Sequence, residues 1–207
     1  MKMGQDREPL AWELVRTEHV IRDKWIDLRV NAYRFPNGEV YEPFYCYSRR
    51  DYVVIVATDP DGSYICVRQF RQGIGRVTTE FPAGGLERPD NMAYGIADGR
   101  STEEEALEAA KRELREETGY ESDEWVHLAT LFSNATISDN YAFLYQAKNC
   151  RRVAGQALDE TEFVKVEKLS PEALEQRIRS GGFQQSDHVL AWYMSRERDE
   201  KMTGSPK

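Results

Sequence analysis

One stretch limits what this chain can become: Ser101 to Gly119, STEEEALEAAKRELREETG. It reads as a single helix. Ser101 or Thr102 serves as the N-cap, and the acidic first turn suits the positive end of the helix dipole. Gly119 stands where a helix stops in a left-handed residue. Leu107, Ala110 and Leu114 follow the 3.6-residue period and make a narrow apolar stripe, whose small alanine lets it pack closely on a flat surface such as a sheet. Glu113, Glu116 and Glu117 are spaced i, i+3, i+4 and share a face. Like charges on one face repel. A solvated acidic face tolerates the grouping, and a hard divalent cation, Mg²⁺ or Mn²⁺, gives it a purpose because such ions take carboxylate oxygens. Arg112 lies four residues before Glu116 and is placed to orient that carboxylate.

Composition narrows the partners. The 207 residues suffice for one domain, or a domain with a small appendage, and 40% hydrophobic content is enough for a core. A net charge of -8 argues against sequence-independent nucleic-acid binding. Cys46, Cys66 and Cys150 are odd in number and widely spaced, as free thiols in a reducing compartment are. The N-terminal MKMGQDREPL has no apolar core and no apolar run reaches a membrane-spanning length, so the expectation is a cytoplasmic protein without a membrane partner.

Three strands are expected before residue 49: Trp12 to Ile21, Trp25 to Phe35, and Val40 to Ser48, the last two joined by a Pro36-Asn37-Gly38 turn. This sheet is too small to be stable alone. Further strands are expected at Tyr52 to Thr58, Tyr64 to Phe70, Val77 to Phe81, Trp125 to Phe132, Tyr141 to Ala147 and Phe163 to Val166. YVVIVAT is nearly all apolar and should be central. Helices should follow from Ser170-Pro171 to about Arg179 and from Ser186 to Arg198, with an unstructured tail. The order suits an α+β chain, an α/β/α sandwich with an N-terminal antiparallel sheet. The expected division is 1–48 for that sheet, 49–200 for the main domain and 201–207 for the tail.

The order of residues within RELREETG says more than its charge. With Glu104 eight positions before Arg112, it resembles the Nudix hydrolase box, G-x5-E-x7-R-E-U-x-E-E-x-G-U, where U is bulky and apolar. Arg112, Glu113, Leu114, Glu116, Glu117 and Gly119 match, and Tyr120 takes the last position. The box glycine departs: Asp98 stands at its spacing, and Gly84 of Phe81-Pro82-Ala83-Gly84 is the match. That implies an insertion of about 14 residues across Leu86 to Gly99, with Met92, Tyr94 and Ile96 among turn formers.

The run Val67 to Arg71 (VRQFR) followed by Glu80 to Gly84 (EFPAG) is similar to the ADP-ribose pyrophosphatase branch of that family. The resemblance implies the sandwich fold, Mg²⁺ with Mn²⁺ as substitute, a nucleotide-sugar substrate and a homodimer joined through the N-terminal sheet. It implies metal ligands at Glu113, Glu116, Glu117 and the Ala83 carbonyl, with Arg112 and Glu116 in the catalytic group. Arg71 and Glu80 fall among the substrate contacts. Trp25, after Lys24, would stack on the base, with Phe44 or Tyr45 on its other face and Arg49 or Arg50 meeting phosphate or ribose. Two apolar ring faces suit a base sandwich, and guanidinium forks suit a diphosphate. Each of Trp25, Phe44 and Tyr45 also reads as a packing residue. Glu160 and Glu162 reproduce an E-x-E spacing before a strand: Glu162 is the expected further ligand and Glu160 the expected base. The implied reaction is hydrolysis of ADP-ribose to AMP and ribose 5-phosphate. GDP-mannose or another nucleotide sugar, and a non-catalytic sensing domain, are the alternatives. His188, beside apolar residues, reads as structural.

Overall fold

β4 (Tyr52–Thr58) explains the architecture of the larger part of the molecule. Its five central residues, Val53 to Ala57, are all 0% exposed. Successive strand residues point to opposite faces, so such a strand must be covered on both. Val53, Ile55 and Ala57 meet Ala106, Ala110 and Leu114 of the helix α1 (Glu103–Thr118). Val54 and Val56 meet Leu174, Phe183 and Trp192, from α2 (Pro171–Arg179), the segment after it and α3 (Ser186–Thr203). The result is helix, sheet, helix. The computed structural model describes residues 8–87 and 101–204. Most of the inserted segment, Arg88 to Gly99, lies outside them.

The described chain forms two compact units. The larger holds Asp51–Glu87, Ser101–Leu131 and residues from Tyr141 onward. Its seven-stranded sheet runs β12 (Lys165–Leu169), β5 (Tyr64–Arg71), β4, β10 (Tyr141–Lys148), β9 (Glu124–Phe132). β6 (Arg76–Glu80) pairs with β5, and β7 (Ala83–Gly85) with β4. The β4–β10 pair is parallel, whereas β5 is antiparallel to β4, β6 and β12. Two short strands, β8 (Tyr120–Glu121) and β11 (Arg151–Arg152), pair separately. α1 starts in a full capping box: Thr102 Oγ1 accepts from the Glu105 N–H, and the Glu105 carboxylate accepts from the Thr102 N–H at 2.7 Å. It stops at Gly119 with φ 76°. A Cβ there would also fall 2.3 Å from the Ala154 carbonyl oxygen, so glycine is required twice over.

The smaller unit contains residues up to Arg50 together with Phe132–Asn140. Its antiparallel sheet has the order β1 (Glu13–Arg22), β2 (Asp27–Arg34), β3 (Val40–Ser48). The Asp23 carboxylate accepts from the Trp25 and Ile26 N–H groups at 2.7 and 3.0 Å, closing the first turn with Trp25 at its tip. The segment after β9 is tied on: Tyr47 N donates to Ile137 O at 2.8 Å, and Asp139 accepts from Arg29 and Ser48.

The strands before Phe132, and α2, fall within a few residues of their expected bounds. The last strand starts at Lys165 instead of Phe163, which is 85% exposed. α3 continues through Thr203, beyond Arg198 and three residues into the expected unstructured tail.

Candidate active site

The face of α1 that carries Glu113 and Glu117 turns toward the β7 segment. A carboxylate taken from water without full compensation is driven to hold its proton. Burial pushes the Glu113 carboxyl up to about 7, against the pull of Arg112, with Glu116 and Glu162 adding to the rise. Burial pushes Glu117 up to about 8, opposed by its hydrogen bond from Ala83, with Glu113 and Glu162 again adding. That bond runs from Ala83 N to Glu117 Oε2 at 3.0 Å. Glu113 rests on Gly84, where there is no side chain to displace it.

Arg112 spans two of the three glutamates. Its Nη1 donates to Glu116 at 2.6 Å, and its Nη2 to Glu113 at 2.7 Å and to the Gly85 carbonyl at 3.2 Å. Glu116 is thus oriented as expected, half-exposed beside its buried neighbours.

Of the late pair, Glu162 is the one whose charge acts on both Glu113 and Glu117. It belongs to a turn in which its own N–H donates to Asp159 O and its carboxylate accepts from Asp159 N. Glu160 in the same turn is exposed and is not among the charges acting on either glutamate. Gln156 holds this loop against the end of α1. Its Nε2 donates to Glu117 O at 2.7 Å and Val164 O at 3.1 Å. Nothing in a lone glutamine signals that role.

Arg71 and Glu80 come together, but not as two substrate contacts. Glu80 is 0% exposed, so it touches no ligand. Its Oε1 accepts from Arg71 Nε at 2.8 Å and its Oε2 from Gln185 Nε2 at 2.9 Å. Its place is behind Arg71. Arg71 itself is one-third exposed. His188 is buried and structural, as expected; its Nδ1 accepts from the Phe81 N–H.

In the smaller unit, Trp25 is 61% exposed, with Lys24 Nζ at 4.9 Å and the Arg50 guanidinium at 5.8 Å from its ring. Phe44 is not free to stack on a base. It packs in a cluster with Trp12, Tyr33, Phe35 and Tyr41 at centroid distances of 5.3 to 6.1 Å. Tyr45, the other candidate, is 60% exposed, and Arg49 is exposed.

A family model described as the NUDIX domain matches residues 48–193, more than half the chain. The chain belongs to the Nudix hydrolases. As such it acts on diphosphate bonds. A methanol dehydrogenase activator of Bacillus methanolicus is 28% identical to it over 184 residues, 86% of this chain and 88% of that protein. An ADP-ribose pyrophosphatase of Bacillus subtilis is 28% identical over 170 residues, 79% of this chain and 80% of that protein. A crystal structure titled ADP compounds hydrolase superposes with TM-score 0.72 at 19% identity, covering 93% of this chain and 96% of that one, which is a likeness of fold.

The donor set of this Nudix hydrolase suits a hard divalent cation: carboxylates raised by burial and by one another, beside the Ala83 backbone. Among the described residues no three His, Cys, Asp or Glu side chains already form a closed ligand cage. Arg112 draws Glu113 and Glu116 to itself instead. Nor is any helix of the described residues long and apolar enough to cross a membrane.

Proposed function

We propose that this Nudix hydrolase cleaves the diphosphate of a nucleoside diphosphate sugar, best ADP-ribose, to AMP and ribose 5-phosphate, with Mg²⁺ or, in its place, Mn²⁺. The observation that carries the reading is the pair of buried carboxylates, Glu113 and Glu117, set against Ala83-Gly84 and acted on by Glu162. Such a grouping costs stability in the absence of a counter-charge. The name of the Bacillus subtilis relative supports the choice of ADP-ribose.

The residues divide the work. Glu113, Glu116, Glu117, Glu162 and the Ala83 carbonyl would hold the cation, which supplies charge neutralisation for the diphosphate and a more acidic water. Arg112 orients Glu116. Arg71 offers a guanidinium fork to the phosphate oxygens. Glu160, exposed in its turn, is the base in this reading and takes a proton from the attacking water. Water adds to one phosphorus, the anhydride P–O bond breaks, and each product leaves with a phosphate. Most of the rate enhancement is then positioning and charge stabilisation.

Trp25 stacks on the base, with Arg50 beside it. Tyr45 is the second aromatic of the reading, since Phe44 is engaged in packing. The N-terminal sheet, residues 1–48, joins two copies in a homodimer. The three free cysteines support the cytoplasm as the compartment.

The test is a panel of ADP-sugars, GDP-sugars and dinucleotides with Mg²⁺, with products identified by mass spectrometry. ADP-ribose should give the highest kcat/KM. A GDP-sugar in first place would replace the substrate, and no turnover on any member would sink the catalytic reading.

A further inference from the structure

The start of α3 does more than start a helix. Gln185 is the N-cap, with extended backbone at φ -71° and ψ 117°, yet its side chain makes no capping hydrogen bond. Ser, Thr, Asp or Asn at that position would cap the helix with its side chain. Gln185 instead sends Nε2 to Glu80 Oε2 at 2.9 Å. Three residues on, His188 Nδ1 accepts from Phe81 N at 3.1 Å. Glu80, the last residue of β6, and Phe81, the next, are therefore both gripped by the first turn of α3. The chain then continues through Pro82, whose carbonyl accepts from Ile55 N at 3.0 Å, to Ala83 beside Glu117.

Glu80 is an expensive way to fill a buried position. A carboxylate there must have both oxygens partnered, and a neutral side chain would pack without that cost. Its partners suggest what it is for. Glu80 holds Arg71 by Nε, at 2.8 Å. A guanidinium is planar, so fixing Nε fixes the direction of the other two nitrogens. Among the described residues Arg71 Nη1 and Nη2 have no hydrogen-bond partner, and the side chain is one-third exposed. Arg71 also lies near enough for its charge to act on Glu117 and on His188.

We propose that Gln185 and His188 are positioning residues, which through Glu80 and Phe81 fix the plane of the Arg71 guanidinium and leave its terminal nitrogens for the substrate's diphosphate. The inference rests on the nucleoside-diphosphate reading above and extends it by giving α3 a part in substrate recognition.

A double-mutant cycle on the full-length protein tests it. The probe is α,β-methylene-ADP, a nucleoside diphosphate that cannot be hydrolysed at its bridge, and the readout is Kd by calorimetry with Mg²⁺ present. Gln185→Leu should weaken binding about tenfold, the scale of one hydrogen bond to a charged group. In an Arg71→Ala background the same change should weaken it no further. Tyr52→Phe is the structural control. It removes the hydroxyl that donates to Asp187 on the same turn of α3. It should lower Tm while leaving Kd within about twofold. Should Gln185→Leu fail to fold, Gln185→Glu serves: its carboxylate repels that of Glu80, so Kd should weaken at least about tenfold, and in the Arg71→Ala background it should weaken no further.

An unchanged Kd in Gln185→Leu, an equal further loss in the Arg71→Ala background, or no binding of the probe by the native protein would each overturn the proposal. The hydrolysis panel fails separately: a native protein that binds the probe with a coupled cycle yet hydrolyses nothing keeps the positioning role and loses the catalytic one.

Discussion

Gly84 stands where any side chain would strike Glu113: a Cβ on it would fall 2.0 Å from the carboxyl carbon and 2.2 and 2.3 Å from the two oxygens. The β7 backbone and the α1 carboxylate are thus fitted to each other at one atom's width. Gly84→Ala should expel the Glu113 carboxylate from its seat and break its bond to Arg112. Turnover should fall by at least about tenfold, while the far-ultraviolet circular dichroism stays native. Native kcat/KM in this variant would remove Glu113 from the active site.

Glu116 and Glu117 occupy different surroundings, so their amide variants should part company in stability. If the proposed metal site is right, both Glu116→Gln and Glu117→Gln remove a ligand charge and should lower turnover by about two orders of magnitude or more. Glu117→Gln, however, removes a charge whose carboxyl burial has driven up to about 8, so its metal-free Tm should not fall. Two variants with near-native rates at saturating Mg²⁺ would end the catalytic account of α1.

The raised carboxyls set the pH response of the metal-free protein. In the folded state Glu113 and Glu117 hold protons up to about 7 and about 8, against an unfolded value of 4.5. Between those values the folded state binds more protons than the unfolded one, so stability is lost as pH rises. Tm in EDTA should fall between pH 6 and about pH 9, and Mg²⁺ should reverse the alkaline loss because it favours the ionised forms. Differential scanning fluorimetry with and without Mg²⁺ reads this directly. A flat profile in EDTA would contradict it.

His188 works in the opposite sense. Burial holds its pKa down to about 3, against 6.5 for the free side chain, with Arg71 adding to the effect. It is neutral in the fold, with Nδ1 accepting and Nε2 carrying the proton. Unfolding takes up a proton below pH 6.5, so this stability is lost as pH falls, by up to about 1.4 kcal/mol per pH unit. His188→Gln can still accept the Phe81 N–H and does not titrate. The native protein should lose Tm more steeply than this variant on going from about pH 7 to about pH 5. Parallel profiles would show that His188 is charged in the fold.

The N-terminal sheet predicts assembly. β1 is exposed along its whole length, and Leu14, Val15, Val20 and Ile21 on it are 46 to 54% exposed. A three-stranded sheet with that much apolar surface needs a partner. Light scattering should report a dimer at micromolar concentration, and Val20→Asp combined with Ile21→Lys should shift it toward monomer. A native monomer would refute this account of the sheet.

The sequence by itself determined the elements and the family. Thr102 and Gly119 bound α1, YVVIVAT announced a strand covered on both faces, and RELREETG marked the family, because these signals lie in the order and spacing of neighbouring residues. The sequence likewise placed Glu162 near that helix by its resemblance. Tertiary structure alone decided the rest. Glu80 is buried behind Arg71, and Phe44 is spent in an aromatic cluster. Gln156 braces a loop, and Gln185 leaves a helix cap to hold Glu80. Each of these depends on groups far apart in the chain meeting at hydrogen-bond or ring-contact distance. Local pattern carries no record of such meetings. A glutamine or a phenylalanine reads the same in sequence whatever the fold brings beside it.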